Sequence, residues 1–194
     1  DRFRVLVTGD SNAGTLFNAL EQNRAAFPAY EFRVAPYFDG CMVQRPPRTA
    51  DWTRECLANH ARKHAALVSE ATHVLMSMKW TKLSTAELDE MIGAAVAYYR
   101  DLGKTVVVTS TTEIFRPNAP FLVNALYRQG LLEKDKADEL FYQHRSPDVA
   151  EYDRIVAAAA DRAGALFLRK SDFICDEPTR RCAALTDAGA AIYY

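Results

Sequence analysis

RVLVTGDSNAGTL, residues 4–16, joins a short apolar run to a helical pattern through a polar turn. The run from Val5 to Val7 predicts a buried strand, and Leu16 and Leu20 share one face of the helix predicted to follow. A strand, a tight turn and a helix in this order place Ser11 beside the unpaired N–H groups of a helix N-terminus. A nucleophilic serine needs such donors, because its attack on a carbonyl forms an oxyanion that they stabilise.

Two other interpretations of this turn stay open. Gly9-Asp10-Ser11 is also ordinary turn and helix N-cap chemistry, which needs no catalytic role. Gly9 and Gly14 in addition have the spacing of a phosphate-binding loop. That interpretation is disfavoured, because Thr15-Leu16 stands where such a loop has the Lys-Ser/Thr that reaches the phosphates.

The composition is that of an ordinary globular protein. With 194 residues, of which 49% are hydrophobic and 25% charged, the chain is long enough to bury a core. A net charge of −1 gives no reason to expect nucleic acid or an anionic membrane surface as a partner. No apolar run approaches the ~20 residues of a transmembrane helix, and no signal peptide is present. Because the chain starts abruptly and without Met, we interpret it as a fragment, and we expect residues 1–194 to form a single domain.

Strand-like and helix-like segments alternate along the chain. The predicted strands are short β-branched or aromatic runs at residues 5–7, 30–34, 73–78, 105–109 and 165–168. The predicted helices are amphipathic segments at residues 11–27, 52–69, 84–102, 120–129, 135–143 and 147–164. Ser84 and Glu87, at the start of the third helix, have the spacing of a capping box. The alternation predicts an α/β fold, a three-layer α/β/α arrangement with a five-stranded parallel sheet in the flavodoxin-like order 2-1-3-4-5.

Sheets of this kind bind ligands beyond the carboxyl ends of their strands, near the point beside strand 1 where the strand order reverses. The long irregular stretch from residue 35 to residue 49 follows the second predicted strand, and loops of this length are often functional. The residues that we expect on this edge are Ser11, Gly40, Lys79, Trp80, Thr111 and Thr112.

Four cysteines permit two disulfides, which would imply an oxidising compartment. Cys175 and Cys182 bracket a polar, turn-like segment, and a bridge between them is favoured over one between Cys41 and Cys56. Four buried free thiols remain the alternative. A zinc site is disfavoured, because the sequence has no C-x-x-C pair and no histidines at a suitable spacing.

The four histidines do not form an evident site. His60 and His64 lie one turn apart on the second predicted helix, a spacing that suits a metal, but no third ligand accompanies them. We therefore expect both to be solvated helix residues. His73 and His144 are interpreted as surface or core residues rather than as a catalytic base. We predict neither a metal nor a cofactor.

Several segments carry a family resemblance. Val7-Thr8-Gly9-Asp10-Ser11, at the end of a first strand, resembles block I of the SGNH (GDSL-like) hydrolases. The chain is more similar still to the SGNH domains of bacterial acyltransferase-3 fusion proteins, which modify surface glycans. Lys79-Trp80 resembles a basic-residue-plus-Trp element of those domains, residues 106–117 their fourth strand and Pro-containing loop, and residues 173–194 their C-terminal two-Cys segment. The order and spacing of these segments over nearly the whole chain imply the flavodoxin-like SGNH hydrolase fold.

The resemblance implies acyl-ester chemistry with Ser11 as nucleophile. The oxyanion hole would use the Ser11 N–H, with Gly40 as a second donor. The usual block III, Gly-x-Asn-Asp, is absent, and Lys79-Trp80 stands in its place, so the resemblance supplies no third oxyanion donor. The residues that we expect to bind substrate beside the nucleophile are Asp10, Asn12, Lys79 and Trp80.

The family's Asp-x-x-His motif does not occur in the sequence. In the family it directly follows a Tyr-rich strand like Ile192-Tyr193-Tyr194. We therefore expect the natural protein to continue past Tyr194, with an Asp and, three places on, the His that would take the proton from Ser11.

The resulting functional hypothesis is a serine-dependent O-acyl (acetyl) esterase or O-acyltransferase acting on a bacterial cell-surface glycan. Its partners would be an acylated glycan or an acyl donor, and a fused or associated membrane acyltransferase domain that tethers it in the periplasm or another extracytoplasmic space. The alternative is a catalytically incomplete domain that binds glycan or a partner, with Trp80, Tyr37 and Phe38 stacking on sugar rings. A nucleotide- or flavin-binding flavodoxin-like module is a third hypothesis.

Overall fold

The computed structural model describes residues 2–36, 49–81, 83–130 and 133–186. Its strands are β1 (Phe3–Gly9), β2 (Tyr30–Pro36), β3 (His73–Ser77), β4 (Thr105–Thr109), β5 (Leu166–Leu168), β6 (Cys175–Asp176) and β7 (Arg181–Cys182). Its helices are α1 (Ser11–Gln22), α2 (Ala50–Lys63), α3 (Ala65–Glu70), α4 (Thr85–Asp101), α5 (Ala119–Arg128), α6 (Lys134–Gln143), α7 (Asp148–Ala163) and α8 (Ser171–Ile174). None of the helices in these ranges is long and apolar enough to span a membrane.

Five strands form one parallel sheet in the order β2-β1-β3-β4-β5, as predicted from the sequence. β6 and β7 form a separate antiparallel pair. Alternate residues of the central strands join different apolar clusters: Val74 and Met76 of β3 lie in one, and Leu75 lies in another. A strand buried on both faces must be apolar at successive positions, which explains the continuous hydrophobic runs that predicted these strands.

The described residues form two compact units. Of these residues, those within Asp1–Thr111 and Tyr152–Leu168 form the sheet unit, and those within Thr112–Glu151 and Arg169–Tyr194 form the disulfide unit. Each unit has its own apolar core, and the expectation of a single domain over residues 1–194 stays a prediction. The largest fully buried side chains of the sheet unit are Trp80, Tyr99, Leu6, Leu57, Met76, Leu88, Met91 and Ile92. The core of the disulfide unit includes Phe115, Leu122, Leu126, Phe141 and Leu185 around the two cysteines.

Capping side chains set where helices begin. The Thr49 hydroxyl accepts the Trp52 N–H at 3.2 Å and starts α2. Ser84 and Glu87 make the capping box predicted from their spacing. The Ser84 hydroxyl accepts the Glu87 N–H at 3.3 Å, and the Glu87 carboxylate accepts the Ser84 N–H at 2.9 Å. Two helix donors without intrahelical partners are thereby satisfied at the start of α4.

Two helices differ from the sequence prediction. The first ends at Gln22, and a 3-10 turn, Arg24–Ala26, replaces its expected last turn. The helix predicted over residues 52–69 is interrupted at His64, whose φ of −116° and ψ of 34° lie outside the helical range. α2 and α3 both contribute apolar side chains to the core of the sheet unit, so the hydrophobic periodicity continues through the break. The sequence pattern therefore could not reveal it.

Candidate functional site

Gly9 ends β1 at a position that only glycine can occupy. Its φ is +143°, and a Cβ built on it would lie 1.9 Å from the carbonyl oxygen of Ser77, its neighbour on β3. A side chain at this point would overlap a backbone atom, so the close approach of the two strand ends depends on the missing Cβ. The chain can then turn sharply from β1 into α1.

The Asp10 carboxylate joins the start of α1 to the segment after β3. Its Oδ1 accepts hydrogen bonds from the Asn12 backbone N–H at 2.8 Å and from the Asn12 side-chain amide at 2.7 Å. Its Oδ2 accepts the backbone N–H of Lys79 at 2.8 Å. Both oxygens are thus engaged by donors of the protein itself. In this structure Asp10 and Asn12 shape the turn around Ser11, and their expected role in binding substrate stays a prediction.

Ser11 is the first residue of α1 and is exposed. It follows the N-cap residue Asp10, so its N–H belongs to the first-turn amides that a helix leaves without intrahelical partners. The helix dipole adds partial positive charge at the same place. An exposed hydroxyl beside such donors is the arrangement in which a serine can attack a carbonyl and have the resulting oxyanion stabilised.

Lys79 and Trp80, adjacent in sequence, occupy opposite environments. Lys79 is exposed, whereas the Trp80 side chain is fully buried and donates its indole N–H to the Thr109 carbonyl at 2.6 Å. A buried ring offers no face for a sugar to stack on, so Trp80 serves here as a core residue that links the end of β3 to the end of β4. The sequence placed both residues at the carboxyl edge but could not separate their roles.

A second carboxylate, Asp153, binds the end of β4 and was not identified from the sequence. It lies on α7, is 3% exposed, and accepts the Thr111 N–H at 3.0 Å. Thr111 itself is buried. Thr111 thus follows the carboxyl end of β4, as expected from the sequence, with its side chain buried.

His60 is a core residue and not a solvated one, which corrects the sequence prediction. It is 5% exposed, and its Nε2 lies 2.9 Å from the Ala35 carbonyl oxygen, which also accepts the Thr8 hydroxyl at 2.7 Å. Because a carbonyl only accepts, Nε2 carries a proton and donates, fastening α2 to the end of β2. The His60 and His64 rings lie 4.8 Å apart, but no group of three metal-ligating side chains occurs in the described ranges.

His73 lies in the sheet unit, at the edge of the sheet away from Ser11. His73 begins β3 beside Val5, whereas Ser77 at the other end of β3 pairs with Gly9. Four strand residues correspond to about 13 Å, so His73 lies at the opposite edge of the sheet from Ser11. His144 belongs to the disulfide unit, where its Nδ1 lies 2.7 Å from the Arg116 carbonyl oxygen.

A partly buried arginine, Arg145, links two carboxylates of the disulfide unit. Arg145 contacts the Glu113 carboxylate through two nitrogens, at 3.1 and 3.4 Å, and contacts Glu177 at 2.5 Å. Burial raises the pKa of Glu113, and the hydrogen bond from Arg145 opposes that shift. The Tyr142 hydroxyl also donates to Glu177 at 2.5 Å, and with Arg145 it lowers the pKa of that carboxyl. None of this network was recognised in the sequence.

The predicted bridge between Cys175 and Cys182 is confirmed. It joins the neighbouring strands β6 and β7, and both cysteines lie in the core of the disulfide unit. Glu177, within the loop that the bridge closes, carries the contacts to Arg145 and Tyr142. The bridge therefore restrains the loop that carries Glu177, and with it the contacts of Glu177 to the rest of the disulfide unit.

Several predicted site features lie outside the described residues. They are the oxyanion donor Gly40, the aromatic residues Tyr37 and Phe38, the Cys41 half of the second bridge, and the segment from residue 187 to residue 194. Three clefts in the described part of the sheet unit have Glu31 of β2 in their lining, and Ser11 lines none of the three.

The family model described as "SGNH domain (fused to AT3 domains)" matches residues 1–194. Among solved structures, the chain is similar to the lipopolysaccharide acetyltransferase periplasmic domain of Salmonella ser. Paratyphi A, with a TM-score of 0.65 and 13% identity over 96% of this chain and 72% of that one. It is also similar to TesA, with a TM-score of 0.49 and 17% identity over 98% of this chain and 88% of that one. The likeness to the acetyltransferase domain supports the fold alone at this identity. No curated protein sequence matches.

Proposed function

This chain belongs to the family of SGNH domains that are fused to AT3 domains, and we propose that it is a serine-dependent O-acyl esterase or O-acyltransferase domain with Ser11 as its nucleophile. The observation that carries the proposal is the exposed Ser11 at the first position of α1, directly after a turn capped by Asp10. The family match over residues 1–194 supports it.

The proposed reaction proceeds through an acyl-enzyme. Ser11 Oγ attacks the carbonyl carbon of an acyl ester, and a base takes the hydroxyl proton. The oxyanion is stabilised by the Ser11 N–H and by Gly40 as second donor, and its collapse releases the alcohol and leaves the acyl group on Ser11. Water then gives hydrolysis, and a sugar hydroxyl gives transfer. The base in this proposal is the histidine of an Asp-x-x-His motif, which these 194 residues do not contain.

We propose a bacterial cell-surface glycan as the molecule from which or to which the acyl group moves. Two findings support this choice: the family's fusion to AT3 domains, and the similar solved structure described as a periplasmic domain of a lipopolysaccharide acetyltransferase. The same findings favour a periplasmic location and a fused membrane acyltransferase as partner. The proposed chemistry proceeds without a cofactor.

The proposal is tested in the full-length natural protein by measuring the loss of acetyl ester from p-nitrophenyl acetate and from an acetylated glycan. Ser11→Ala is expected to lower turnover by several orders of magnitude, because no other group replaces the nucleophile. Ser69→Ala, at an exposed serine of α3, is the matched control and should retain full activity. Unchanged turnover in Ser11→Ala would defeat the mechanism. Saturable glycan binding without turnover in the wild type would favour the alternative of a glycan-binding domain.

A further inference from the structure

Lys79 is an exposed cation whose backbone is held beside the proposed nucleophile. Its N–H donates to Asp10 Oδ2 at 2.8 Å, and Asp10 caps the helix that begins with Ser11. The next residue, Trp80, is fully buried and donates to the Thr109 carbonyl at 2.6 Å. These two anchors fix the point at which the Lys79 side chain leaves the backbone. The Lys79 side chain therefore leaves the backbone at a residue that is hydrogen-bonded directly to Asp10, the neighbour of Ser11.

The carboxylates that bind these strand ends are engaged by backbone donors. Asp10 accepts hydrogen bonds from Asn12 and Lys79, and the buried Asp153 accepts one from Thr111. The Lys79 ammonium, in contrast, makes no ion pair or hydrogen bond within the described ranges. It is thus available to a charged ligand that reaches Ser11.

We propose that Lys79 binds an anionic group on the glycan, a carboxylate or a phosphate, and so makes the domain selective for acidic sugars. This inference rests on the proposed function of Ser11. An oxyanion donor must be held in a fixed geometry, whereas Lys79 places a point charge at the end of a flexible, exposed stem. Such a group contributes to binding in the ground state and the transition state alike, so its loss raises KM and leaves kcat nearly unchanged.

The test compares three esters that differ in one substituent: mono-O-acetylated methyl glucoside, its glucuronoside counterpart with a carboxylate at C6, and its 6-phosphate. Ester loss is followed by NMR in the full-length natural protein for the wild type, Lys79→Met and Lys79→Arg. A charge-assisted contact predicts a KM about tenfold lower for at least one anionic ester than for the neutral one. Lys79→Met should abolish this preference with kcat within about twofold of the wild type, and Lys79→Arg should retain it. Added salt should reduce it, because Lys79 is exposed.

A preference for one anionic ester over the other identifies the carboxylate or the phosphate as the ligand, and either result supports the inference. An equal preference in the wild type and Lys79→Met overturns it. A fall in the kcat of Lys79→Met on the neutral ester also overturns it, because Lys79 would then be part of the catalytic machinery. If the wild type turns over none of the esters, the proposed function fails. The charge contact is then tested separately, by measuring how tightly Ser11→Ala and Ser11→Ala/Lys79→Met bind the glucuronoside and the 6-phosphate. Binding of either ligand about tenfold weaker in the double variant supports the contact with Lys79. Equal binding by the two variants refutes it.

Discussion

Replacing Arg145 tests how much the disulfide unit depends on a single ion pair with a buried carboxylate. The Arg145 guanidinium contacts the carboxylate of Glu113, a side chain with no solvent exposure, and it is itself only 19% exposed. Arg145→Met keeps much of the apolar stem but removes both nitrogens that bind Glu113. The Glu113 carboxylate is then left buried without its cation, which is far more costly than losing a surface ion pair.

The size of the effect follows from that geometry. Removing one partner of a buried ion pair costs about 3–5 kcal/mol, and the partial exposure of Arg145 places the expected loss at the lower end, about 3 kcal/mol at pH 7. Glu113→Gln combined with Arg145→Met removes the stranded charge and leaves only an imperfectly bonded amide. The double variant should therefore be about 1–2 kcal/mol more stable than Arg145→Met alone.

The loss in Arg145→Met should also depend on pH. Burial already raises the pKa of Glu113, and removing Arg145 removes the hydrogen bond and the charge that oppose this shift. When the pKa of an acid is higher in the folded state than in the unfolded state, the folded state binds more protons, and stability falls as pH rises through that interval. The pKa of Glu177 is lowered instead, in part by Arg145. A lowered pKa stabilises the folded state only where the carboxyl is ionised, so Arg145→Met loses this contribution at neutral pH and not in acid. Both effects make the destabilisation by Arg145→Met largest at neutral pH and smaller as the pH falls toward 4.5.

Urea unfolding followed by far-UV circular dichroism measures these differences. Arg116→Met is the matched control within the disulfide unit, because Arg116 and its partner Asp148 are 69% and 52% exposed. That variant should lose less than about 1 kcal/mol. The reasoning is refuted if the double variant is no more stable than Arg145→Met at pH 7, or if the loss caused by Arg145→Met is the same at pH 5 and pH 7.

Two further predictions concern other parts of the chain. Gly9→Ala should lower the free energy of unfolding by roughly 3–5 kcal/mol, since the new Cβ meets the Ser77 carbonyl at 1.9 Å and the residue has a φ of +143°. Gly14→Ala on α1, where a Cβ meets nothing within 4 Å, should raise the free energy of unfolding by about 0.5–1 kcal/mol. Chemical denaturation measures both variants. A change of the same sign in the two free energies of unfolding would contradict the assignment of the turn. Replacing Cys175 and Cys182 together by alanine should cost about 2–3 kcal/mol by the loop-closure model, measured as a shift of the urea midpoint. Four alkylatable thiols in the non-reduced wild type would show that the bridge does not form.

The sequence alone determined the layout of the fold. The five strands of the parallel sheet, their order, the capping box at Ser84 and Glu87, and the bridge between Cys175 and Cys182 were predicted and are confirmed. The family resemblance carried by the block I residues and the spacing of later segments is confirmed as well. Most of these features depend on local patterns: short apolar runs that alternate with amphipathic helical segments, residue pairs a few positions apart, and turn chemistry.

The tertiary structure alone decided which polar residues are buried and what they bind. Trp80 joins the core through Thr109, Asp153 binds Thr111, and Arg145 binds Glu113. These partners lie 29, 42 and 32 residues apart, so no local pattern reports them. His60 is buried for the same reason. Its place on an amphipathic helix predicted a solvated side chain, but the end of β2, 25 residues earlier in the chain, packs against it. A side chain's periodicity shows which face of its own element it occupies, but its exposure depends on whatever distant segment packs there.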